Sequence, residues 1–96
     1  MLFAIIYRDK PDHEPLRIET RPAHIDFLKN CGHHVHMAGP LLNETGETMT
    51  GSILIMDFPD WNAAKDYCAN DPYTKAGLFS GVEISRWKQT LPTLKE

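Results

Sequence analysis

Apolar residues fall along this chain in short two-fold and helical runs separated by turn residues. Leu2 to Arg8 is an aromatic and β-branched run closed by the polar Asp9-Lys-Pro-Asp12, which predicts a strand. Leu16 to Cys31 places Ile18, Ile25, Phe27 and Leu28 at helical spacing and ends at Gly32, a residue suited to a helix C-terminus. Pro22 falls inside that span, so the regular helix either begins near it or is kinked there. His33 to Pro40 predicts a second strand, Asn43 to Gly46 a turn, and Thr50 to Phe58 a third strand. Asp60 is a fair N-cap for a second helix running to about Asn70, and Asp71 to Leu78 is a short turn or helix ended by Gly77. Val82 to Gln89 alternates as a last strand, and Thr90 to Glu96 is a polar tail.

The order β-α-β-β-α-β predicts an α+β, ferredoxin-like domain: a four-stranded antiparallel sheet with two helices on one face. The strands bear on what meets the other face. Phe3, Ile5 and Tyr7 alternate with Leu2, Ala4 and Ile6, and Ile53 and Ile55 alternate with Leu54, Met56 and Phe58, so both sides are apolar. A sheet with one face in water should alternate apolar with polar. The expected cover is the same face of a second copy, giving a homodimer; loops or the tail folding back are the alternative.

The chain has 96 residues, 42% hydrophobic and 24% charged, which is one domain spanning residues 1–96. Its formal charge of −3 and scattered basic residues argue against nucleic acid and against an anionic membrane as partners. The N-terminal apolar run is too short for a signal peptide or a span, so a cytoplasmic setting is expected. Cys31 and Cys68 are the only cysteines. They read as reduced thiols near helix C-termini, where the dipole disfavours a thiolate.

His24 is the main chemical handle. It shares a helical stripe with Arg17, Arg21 and Leu28, at steps of four, three and four residues. An imidazole that titrates near neutral pH beside two guanidinium groups suits a general base acting on an anionic substrate; a half-buried structural histidine with solvated arginines fits the same spacing. Asp71 before Pro72 suits a helix cap, and its carboxylate could also orient an imidazole. His34 and His36 project from one strand face at a spacing metals use, but no third ligand is evident nearby, so no metal is expected. Ser52 lacks a nucleophile-elbow motif, and Gly39-Pro40 and Gly51 mark close backbone approaches or strand ends without a phosphate-loop pattern. No cofactor motif is present.

Together, Arg17-x-x-x-Arg21-Pro22-Ala23-His24, Ala38-Gly39-Pro40-Leu41, Gly51-Ser52, Asn70-Asp71-Pro72-Tyr73 and Ala76-Gly77, with Asp9-Lys10 after the first strand, resemble the YciI-like (YCII-related) family. The likeness runs from the first strand through Trp87. It implies a dimeric α+β barrel, in which two ferredoxin-like sheets pack face to face. It further implies a His–Asp pair in a cleft, mapping onto His24 and Asp71. One branch of the family is similar to a dehydrochlorinase of a chlorinated muconolactone. His33, His34 and His36 lie outside the family pattern. The expectation is therefore a cofactor-independent lyase or isomerase in which His24 and Asp71 are catalytic. Arg17, Arg21, Ser52, Tyr73, Gly39 and Pro40 are the substrate-binding candidates, and the substrate is a small anionic lactone or enol acid. A non-catalytic dimeric ligand-binding module is the rival reading.

Overall fold

The computed structural model describes residues 1–93, so the last three residues of the expected tail lie outside the described residues. The chain runs β1 (Leu2–Asp9), α1 (Glu14–Asn30), β2 (Val35–Leu42), β3 (Met49–Asp57), α2 (Trp61–Asn70), α3 (Pro72–Lys75) and β4 (Phe79–Arg86). The four strands form one antiparallel sheet in the order β2-β3-β1-β4, the ferredoxin-like arrangement expected from the element order.

Several boundaries differ from the sequence reading. The first helix starts at Glu14, two residues before the apolar periodicity becomes visible, and continues through Pro22. Pro15 at its start needs no hydrogen-bonded N–H, which suits it to the first turn. The second strand begins at Val35 and extends to Leu42, past Gly39-Pro40. A proline is tolerable there because β2 lies at the sheet edge. The last strand starts earlier, at Phe79, and closes at Arg86. Asp60 caps α2, its carboxylate accepting from the Ala63 N–H at 2.8 Å. A third, single-turn helix stands where a turn or short helix was expected.

Antiparallel register assigns the two sheet faces. Ile5 sits opposite Leu54 and Phe3 opposite Met56, whereas Ala4 faces Ile55 and Ile6 faces Ile53. Phe3, Ile5, Tyr7, Leu54 and Met56 are fully or almost fully buried and pack with Phe58, Ala64, Tyr67 and Cys68. Phe27 and Leu28 of α1 close that core from the side. All three helices therefore lie against one face. On the other, Leu2, Ala4 and Ile6 are half-buried, Ile53 is 39% exposed and Met37 58% exposed. No helix among the described residues is long and apolar enough to cross a membrane.

At Gly51, β3 leaves no room for a side chain beside β1. A Cβ there would lie 2.2 Å from the Tyr7 carbonyl oxygen, a backbone atom that cannot swing away. At Gly81 an added Cβ meets nothing within 4 Å. Gly51→Ala should therefore lower unfolding free energy by about 1–3 kcal/mol or more through overpacking. Gly81→Ala should stay within about 0.5 kcal/mol of the parent. Urea denaturation of the two variants measures both.

Candidate active site

The site is assembled from four elements around one buried carboxylate. Asp71 follows α2 and caps α3, so its Oδ1 accepts from the Tyr73 N–H at 2.9 Å. That fixes the side chain pointing inward, and Asp71 is 0% exposed. The central strand β1 brings the Tyr7 hydroxyl, which donates to Oδ2 at 3.2 Å. Helix α1 supplies His24, whose Nδ1 lies 3.0 Å from each carboxylate oxygen. A carboxylate ringed by donors accepts the Nδ1–H, and this tautomer leaves the Nε2 lone pair available. The His24 ring stacks on Tyr73, with centroids 4.1 Å apart and planes 17° from parallel.

Arg17 and Arg21 share one helical stripe but differ in setting. Arg17 is only 2% exposed: its Nε donates to Asp9 at 2.6 Å and its Nη2 donates at 2.9 Å, a two-pronged ion pair. Its guanidinium also sits 4.5 Å from the centre of the Tyr73 ring. Burial works against the Arg17 charge, and the hydrogen bonds and charge of Asp9 more than offset that, holding the guanidinium protonated. Arg21 is exposed and makes no ion pair among the described residues, so it is the unengaged cation at the rim.

These groups meet at a cavity of about 210 Å³. Arg17, Arg21, His24 and Tyr73 form one side; Ser52, Gly39 and Pro40 form the sheet side, with Ile25, Leu28 and Leu54 as apolar wall. All six substrate-binding candidates and His24 thus line one space, while Asp71 sits behind His24, out of reach of a ligand. The volume is below the roughly 300–1,000 Å³ of drug-sized sites and suits a single-ring molecule. The Tyr73 hydroxyl is buried without a hydrogen-bond partner among the described residues. Burial pushes its phenol above the usual range, while Arg17 and Arg21 pull the other way.

Two participants escaped the sequence reading. In the sequence, Tyr7 stands only among the apolar positions of the first strand, and Asp9 only in the polar stretch that closes it and in the family motif. Both continue the alternation Phe3, Ile5, Tyr7, and that was the available signal: a hydroxyl and then a carboxylate on a core face each need a partner. The histidine cluster stays apart from the site. His36 Nε2 is 2.9 Å from the Gln89 amide oxygen, the His34 and His36 ring centroids are 6.5 Å apart, and no group of three metal-ligating side chains occurs among the described residues.

A buried imidazole–carboxylate pair beside a small cavity, carried by a ferredoxin-like α+β sheet, is the fold and site that set the class of this protein. Within that class this chain belongs to the YCII-related domain family, whose model matches residues 1–88. It is 32% identical to protein YciI of Escherichia coli over 96 residues, covering 93% of this chain and 98% of that one. An uncharacterized protein of Haemophilus influenzae is 31% identical over the same shares. Among solved structures it resembles 5-chloro-2-hydroxyhydroquinone dehydrochlorinase of Burkholderia phenoliruptrix, in complex with 2,5-dihydroxybenzoquinone. That likeness has 36% identity and a TM-score of 0.84, over 94% of this chain and 96% of the other. By its name this dehydrochlorinase acts on a chlorinated hydroxyhydroquinone.

Both thiols are free. Burial, with a further push from the Asp71 charge, raises Cys68 to about 11. At pH 8 Cys68 thus stays a thiol. Half-exposed Cys31 should therefore react with iodoacetamide at pH 8 while Cys68 stays unmodified, as peptide mass mapping of the native protein would show.

Proposed function

We propose that the protein is a cofactor-independent lyase or isomerase that takes a proton from a small, acidic, anionic molecule of the enol or lactone class. The observation that carries this reading is the His24 Nδ1 within 3.0 Å of both oxygens of a fully buried carboxylate, at the wall of a small, mostly apolar cavity. Asp71 orients the ring and favours the imidazolium that forms, and Nε2 accepts the substrate proton. The electron pair left behind becomes a new double bond as an anionic leaving group departs, or returns to another carbon in an isomerisation. Proton and leaving group balance without an electron carrier. Arg21 draws in the anion, and Ser52 and the unpartnered Tyr73 hydroxyl hydrogen-bond its carbonyl or enolate oxygen. Arg17, already held by Asp9, contributes charge to the pocket and has one terminal nitrogen left for a ligand.

The likeness to the dehydrochlorinase supports an elimination, and 2,5-dihydroxybenzoquinone, the molecule bound in that structure, is itself an acidic enol. It is a natural first probe. Binding of that probe to the parent chain is expected, weakened about tenfold or more in Arg21→Gln through loss of a charged hydrogen bond. With a chlorinated hydroxyhydroquinone as substrate, His24→Ala should cut chloride release by about 10²–10⁴. The His24 ring signals in an NMR titration should move to lower pH in Asp71→Asn, which removes the partner of the imidazolium. Turnover that survives His24→Ala would sink the assignment. Ligand binding without turnover, unchanged in His24→Ala, would leave a ligand-holding module.

We propose also that a second copy of the chain covers the open sheet face, forming a dimeric α+β barrel. The half-buried Leu2, Ala4 and Ile6 beside exposed Ile53 and Met37 support it, because an apolar face of this kind is costly in water. Light scattering should give twice the 10.9 kDa chain mass, and Ile53→Lys should reduce it to one chain mass. A monodisperse monomer in the parent protein would refute the dimer.

A further inference from the structure

Asp71 is held by more than its ligand-facing partner. It has no exposure to water, so nothing but protein groups can stabilise its charge. Three donors reach it: the Tyr73 N–H on Oδ1, the His24 Nδ1–H between both oxygens, and the Tyr7 hydroxyl on Oδ2. Without Tyr7, Oδ2 would retain only a share of the His24 N–H.

We propose that Tyr7 is a positioning residue whose hydroxyl holds Asp71 ionised and oriented, and through it sets the tautomer of His24. This inference rests on the His24–Asp71 reading above. Tyr7 is suited to the task by its place in the fold. It lies on central strand β1, opposite Ser52 on β3 and Val82 on β4, and its ring stacks on Phe79 at 4.1 Å and 9°. The phenol oxygen is therefore delivered to Asp71 by a strand paired on both sides. Burial, followed by the Asp71 charge, pushes the Tyr7 phenol far above its ordinary range, so it stays a proton donor wherever the protein is folded.

The other titratable groups around Asp71 add no competing charge. Tyr67 and Cys68, both on α2, are pushed up by burial and then by neighbouring groups including Asp71, so they remain neutral. Tyr73 of α3 is likewise raised, by burial first. The Tyr67 hydroxyl has no hydrogen-bond partner among the described residues, so Tyr67 provides a matched contrast: a second buried phenol near the same carboxylate that donates nothing to it.

A hydrogen bond to a carboxylate stabilises the anion, so its removal lets the carboxyl take up a proton at higher pH. The test follows the His24 Nδ1–H resonance of the ligand-free protein as pH is lowered, in the parent chain, Tyr7→Phe, Tyr67→Phe and Asp71→Asn. Tyr7→Phe should move the acid transition of that signal up by about one pH unit. Tyr67→Phe should leave it in place. In the parent chain the Tyr7 ring signals should titrate with the same midpoint, a readout that does not depend on the variant folding. A Tyr7→Phe protein of lowered Tm with an unmoved acid transition, or Tyr7 ring signals flat through it, would make Tyr7 an apolar core residue only. If Asp71→Asn alters the His24 signal while Tyr7→Phe does not, the pair stands and only the role of Tyr7 falls. If Asp71→Asn leaves that signal unchanged, the pair itself is absent and this inference goes with it.

Discussion

Keeping a carboxylate dry is the constraint on which this structure turns. An ionised Asp71 with no water contact would cost several kcal/mol if it lacked partners, and removing one partner from such a buried charge is strongly destabilising. The fold meets the cost by convergence. Strand β1 supplies a hydroxyl, helix α1 an imidazole N–H, and the first turn of α3 a backbone N–H. Each donor comes from a different element, so the carboxylate is satisfied only when the sheet, the long helix and the short helix are docked together. The arrangement that stabilises the charge is the one that presents His24 to the cavity.

A second buried charge, Arg17, sits on the same helical face and is met in the same manner. Asp9, at the end of the core face of β1, engages the guanidinium at two points, and Tyr73 lies beside it. Tyr73 thus touches both Arg17 and His24, two turns apart on α1, and its backbone N–H holds Asp71. A one-turn helix would contribute little by itself. Here it carries the residue that ties the two halves of the pocket into one unit.

These interactions also explain the division of labour along the arginine stripe. A two-pronged pair with Asp9 takes two of the five N–H donors of the Arg17 fork and, with its burial, builds Arg17 into the wall. Arg21 emerges one turn later, lines the same cavity and is exposed to solvent. The same periodicity that aligns the two residues sets them at different depths.

Element order and the two-sided apolar strands were legible in the residues alone, because backbone periodicity and turn chemistry are local. So was the cap role of Asp71, which needs only Pro72 beside it and an N–H two residues on. Strand ends were misjudged at β2 and β4, since pairing with a neighbouring strand, and not composition, decides how far a strand extends. The sequence by itself determined a ferredoxin-like α+β domain with His24 and two arginines on one helix face. Only the tertiary structure decided that Asp71, 47 residues away, comes to 3.0 Å from His24, that Tyr7 completes its shell, and that Arg17 belongs to Asp9. Those pairings are between groups far apart in the chain, and their distances are set by how the helices pack on the sheet, which no local pattern encodes.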